Sequence, residues 1–66
     1  GVGGAMSALT PGQLADKREE ALELMARLSA LAAWCEVRGV VDAEEALDRA
    51  AHCAATAAQA LRRVTP

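Results

Sequence analysis

From Leu14 to about Val64, apolar side chains recur at helical rather than strand spacing. In the second half of the chain, Ala43, Leu47, Ala50, Ala54, Ala57, Leu61 and Val64 alternate by fours and threes. This is a heptad seam in which alanine takes most positions. In the first half the seam runs through Leu14, Ala21, Leu24, Leu28, Leu31 and Cys35, widened by Leu22, Met25 and Ala32. Lys17 and Arg38 interrupt it near its two ends. Ala46, Ala51, Cys53, Ala58 and Ala60 flank the second stripe. Both segments predict amphipathic helices whose apolar arcs are wider than a single partner helix covers.

Local signals set the predicted ends. Thr10 and Gln13 have the spacing of a capping box, and Pro11 falls at the first helical position, where its missing N–H costs nothing. Leu9 and Leu14 occupy the two positions of a hydrophobic staple across that cap. Nothing breaks the helix before Gly39, the natural residue for a left-handed C-terminal turn, with Val40 completing a Schellman ending. Asp42 and Glu45 then predict a second capping box. The expected fold is all-α: an antiparallel two-helix hairpin over about 10–38 and 42–64, because so short a link forces adjacent antiparallel helices. Residues 1–8 read as a flexible leader, in part a cloning remnant ahead of Met6, and 9–66 as the hairpin domain.

Composition changes the meaning of this pattern. The chain has 66 residues and is 53% hydrophobic, but 17 of its apolar residues are alanine. Ordering about 50 helical residues requires on the order of 3,000 Å² of apolar burial. A lone hairpin with alanine faces does not supply that. The sequence therefore predicts self-association, most simply a two-fold dimer forming a four-helix bundle. The expected dimer seam comprises Leu14, Ala21, Leu24, Met25, Leu28, Leu31 and Cys35 on the first helix, with Leu47, Ala50, Ala54, Ala57 and Leu61 on the second. The absence of Phe, Tyr, Ile and Asn, with arginine as six of the seven basic residues, suits a high-GC bacterial coding sequence.

Charge and chemistry narrow the functional classes. A net charge of −2 argues against a general nucleic-acid or anionic-membrane binder, and no apolar run approaches a bilayer-spanning length. Folding the chain about residues 40 and 41 places Arg62 and Arg63 opposite Glu19 and Glu20. Glu23–Arg27 and Glu45–Arg49 have helical ion-pair spacing. No serine or cysteine has an evident base and orienting acid, so no catalytic residue is assigned. A lone His52 beside Cys53 makes a poor metal site, because adjacent helical residues point about 100° apart. A disulfide between Cys35 and Cys53 within one chain is disfavoured, since their levels differ by roughly 10 Å. Both cysteines then read as small buried hydrophobes.

The expected function is a non-enzymatic interaction module: a dimerisation or docking domain, an adaptor or a small inhibitor. It would act in the cytoplasm on itself and on another protein, without cofactor, metal or small-molecule substrate. Partner contacts are expected at Trp34, Val37, Val40 and Val41, and at the acidic patch of Glu19, Glu20 and Glu23. Trp34, the only aromatic residue, either plugs the hairpin end or the dimer seam or stands exposed as an anchor. The alternatives are a small regulator supporting nucleic-acid binding and a thiol- or metal-responsive bundle.

Overall fold

A computed structural model describes residues 9–65 and contains two helices, α1 (Pro11–Val37) and α2 (Val41–Arg62), packed against each other as an antiparallel hairpin. At ~1.5 Å per residue they are about 40 and 33 Å long. The expected flexible leader, residues 1–8, lies outside the described residues.

The start of α1 follows its sequence signals. The backbone N–H of Gln13 donates to Thr10 Oγ1 at 3.1 Å, and the Thr10 N–H donates to Gln13 Oε1 at 3.0 Å. This reciprocal pair satisfies two donors that would otherwise lack helical partners. Leu14 is buried below the cap, whereas its staple partner Leu9 is largely exposed. At the other end Gly39 adopts φ +73°, the Gly39 N–H donates to the Glu36 carbonyl at 3.1 Å, and the Val40 N–H donates to the Cys35 carbonyl at 2.9 Å. Those two bonds are the Schellman pattern. α1 stops at Val37, one residue before the expected end.

The start of α2 differs from expectation. Asp42 is not its cap: the N-cap is Val40, which makes no side-chain capping bond, and the helix begins at Val41. The Schellman turn delivers the chain directly into α2, so Asp42 lies already within the first turn. Asp42 and Glu44 there meet the positive end of the helix dipole, and Arg62 meets the negative end. The helix ends at Arg62, and Val64 lies beyond it rather than inside.

The buried line between the helices is rotated by about one residue from the expected stripes. On α1, Leu14, Arg18, Ala21, Met25, Leu28, Ala32 and Cys35 are buried or half-buried, a strict alternation of fours and threes. On α2 the matching line is Glu44, Leu47, Ala51, Ala54, Ala58 and Leu61. The innermost residues are therefore small: Ala32, Cys35, Ala51, Ala54 and Ala58, with Leu14 the only large one. Alanine at these points lets the backbones approach toward the close end of the ~8–10 Å interaxial range.

Candidate interaction surface

The twelve expected seam residues divide into three groups. Leu14, Cys35 and Ala54 are buried inside the hairpin, while Ala21, Met25, Leu28, Leu47, Ala50 and Leu61 are half-buried. Leu24, Leu31 and Ala57 are exposed, the two leucines at 52% and 50%. The hairpin's own seam instead uses Ala32, Ala51 and Ala58, which the heptad reading placed at its margins. Residue size could have found Ala32, which is smaller than the expected Leu31, but no size signal separates Ala51 and Ala58 from the expected Ala50 and Ala57.

The two sides of the hairpin are chemically different. On one side Arg18, Leu22 and Met25 of α1 share an open hollow of about 450 Å³ with Ala55, Ala58, Gln59 and Arg62 of α2. Glu36 and Glu44 meet on this same side near the turn. Partial burial, then the adjoining carboxylates of Glu36 and Asp48, hold the Glu44 carboxyl above its ordinary range. On the other side the surface is formed by the flank of α1 carrying Leu24 and Leu31. By helical periodicity it continues onto the flank of α2 carrying Ala43, Ala50 and Ala57.

Trp34 stands at the edge of this second side, 51% exposed, with the Arg38 guanidinium 4.1 Å from its ring centroid. At that distance the cation is attracted to the face of the indole. Arg27, Ala30, Leu31 and Trp34 line an open hollow of about 530 Å³ there. A second open hollow, of about 340 Å³, continues along α1 over Ala21, Leu24 and Arg27, with Glu20 and Glu23 at its margin. Trp34 thus does not plug the hairpin end. Val37, Val40 and Val41 are also exposed, Val37 most of all at 82%. Glu19, Glu20 and Glu23 are all exposed.

Arg62 and Arg63 do not neutralise that patch. Arg62 lines the hollow that Arg18 also lines, whereas Glu20 and Glu23 border the hollow over Leu24 on the other side. Among the described residues the one ion pair is Lys17 Nζ to Glu20 Oε2 at 2.9 Å. That contact, chiefly its hydrogen bond, raises the Lys17 pKa. Glu23–Arg27 and Glu45–Arg49 do not close to ion-pair distance. Exposed charges gain little from being fixed in one geometry, so spacing alone does not form these pairs.

Both cysteines are free. Cys35 is buried, as expected, but Cys53 is exposed, because the rotation of α2 turns it away from α1. His52 is exposed, and Thr56 Oγ1 donates to the His52 carbonyl at 3.0 Å. Among the described residues no group of three metal-ligating side chains converges, and no helix is long and apolar enough to cross a membrane. No family model matches the chain, and neither curated proteins nor solved structures yield a similar one.

Proposed function

We propose that this chain is a non-enzymatic, self-associating helical hairpin that serves as a protein–protein interaction module, two copies pairing into a four-helix bundle. The observation that supports this reading is the half-exposed line of Leu24 and Leu31, with Trp34 at its edge, on a helix whose inner face is already occupied. Large apolar side chains at heptad spacing are costly to leave in water and gain roughly 1.5–3 kcal/mol each on full burial. A hairpin whose innermost residues are four alanines, one cysteine and one leucine buries little apolar area of its own. In this role the protein would dimerise or dock a larger partner, and its carboxylates would serve solubility and, at Asp42, the α2 dipole rather than chemistry.

Sedimentation equilibrium across the micromolar range tests the reading. A dimer mass, with a melting temperature that rises with concentration, is the expected result. A monomer that melts cooperatively and independently of concentration would refute it.

A further inference from the structure

We infer that the second copy lies with its α2 against this chain's α1, related by a two-fold axis running along the bundle. This arrangement rests on the self-association proposed above and specifies its geometry.

The register of the hairpin supplies the argument. Arg18 and Arg62 share one hollow, Leu22 and Ala58 share it too, and Glu36 meets Glu44, so paired residue numbers add to about 80. The same register on the open side sets Leu24 level with Ala57 and Leu31 level with Ala50. These residues repeat every seven positions, close to two helical turns, so each pair forms a rung with a large side chain on α1 and a small one on α2.

Two symmetric ways of stacking such a face are available. With the axis along the bundle, each α1 faces the other copy's α2 at the same level. Leu24 then enters the gap over the second copy's Ala57, and Leu31 the gap over its Ala50, twice by symmetry. With the axis across the bundle, leucine meets leucine along one edge and alanine meets alanine along the other. That arrangement leaves a wedge which close packing does not tolerate.

Charge favours the same choice. The crossed arrangement, centred between Leu24 and Leu31, sets Lys17 against the second copy's Arg38 at both ends. The aligned one sets Arg38 level with the second copy's Asp42 and lays Trp34 over its Ala46. The area is sufficient: two helices about 10 Å wide over the ~33 Å of α2 cover roughly 650 Å² per copy, or about 1,300 Å² in all. That falls within the range of specific interfaces.

The aligned arrangement also brings Arg27, on the outer edge of α1, next to the second copy's Cys53, on the outer edge of α2. Within one chain these two residues stand at opposite edges of the face. The test is the Arg27→Cys chain treated with oxidised glutathione, with circular dichroism confirming unchanged helicity at this exposed site. The expected result is a covalent dimer on a non-reducing gel, absent in the wild-type chain and lost again in the Arg27→Cys/Cys53→Ala chain. A covalent dimer that survives Cys53→Ala would place α1 against α1 and overturn the arrangement. So would the absence of any covalent dimer from a variant that sediments as a dimer. A wild-type chain that is monomeric throughout sedimentation removes self-association itself, a separate failure.

Discussion

Gly39 gives a sharp test of how the hairpin turn is held. Its φ of +73° lies in the left-handed region, and a Cβ built there meets nothing within 4 Å. Replacing it with L-alanine therefore adds no clash, and the cost lies in the backbone alone. Left-handed L-residues cost about 1–2 kcal/mol. The lower entropy of the unfolded chain returns about 0.4–1 kcal/mol. The net expected loss for Gly39→Ala is about 1 kcal/mol. For a chain of 66 residues that is a fall of about 7 °C in melting temperature. A 66-residue chain is open to chemical synthesis, and D-alanine at position 39 reverses the sign. It prefers positive φ, has the same open space, and keeps the entropic gain, so it should stabilise by about 0.4–1 kcal/mol. Thermal melts of the three chains at one fixed concentration read the difference. Equal melting of the L- and D-alanine chains would refute the claim that backbone handedness, rather than side-chain space, explains this glycine.

Three further outcomes follow from the packing and the charges. Ala32→Leu, at a buried site that lines none of the hollows, forces a large side chain between the helices and should cost about 1–3 kcal/mol by chemical denaturation, whereas the exposed Ala60→Leu should stay within about 0.5 kcal/mol; equal costs would contradict the close seam. Because burial and the Glu36 and Asp48 carboxylates raise the Glu44 pKa, the folded chain holds that proton more tightly than the unfolded chain. This contribution to stability therefore grows as pH falls from neutrality through the raised pKa, and is lost as pH rises. Glu44→Gln should raise the melting temperature at pH 7 and flatten its pH dependence, and identical pH profiles for the two chains would exclude the carboxylate cluster as the cause. Under native conditions a thiol reagent should modify Cys53 promptly and Cys35 only as the hairpin opens, so that mass spectrometry finds a single early adduct at Cys53; prompt modification of both would show that Cys35 is not enclosed.

The parts of the fold that were legible in the sequence are those governed by a few neighbouring residues. Thr10, Pro11 and Gln13 close the α1 start through bonds spanning three positions. Gly39 ends α1 because a sharp reversal there requires positive φ. The second cap was misread by the same kind of local logic. Asp42 has the right residue type, but the Schellman turn had already placed Val40 at the cap position.

Helical periodicity determined that both segments carry broad apolar arcs, and the short link determined that they lie side by side. Two adjacent heptad lines run along each arc, sharing Leu14, Ala21, Leu28 and Cys35 on α1 and Leu47, Ala54 and Leu61 on α2. Periodicity alone does not say which line turns inward. The tertiary structure decided it: Ala32, Ala51 and Ala58 turn inward, and Leu24, Leu31 and Cys53 turn outward. On α1 the inward Ala32 is smaller than the outward Leu31 and admits closer approach, whereas on α2 both lines are alanine and their size does not distinguish them. The same rotation moved Arg62 away from the acidic residues it was expected to meet and left Trp34 standing on the surface. Composition and spacing established how much apolar surface the chain carries; only the packing of one helix on the other established which part of it remains uncovered.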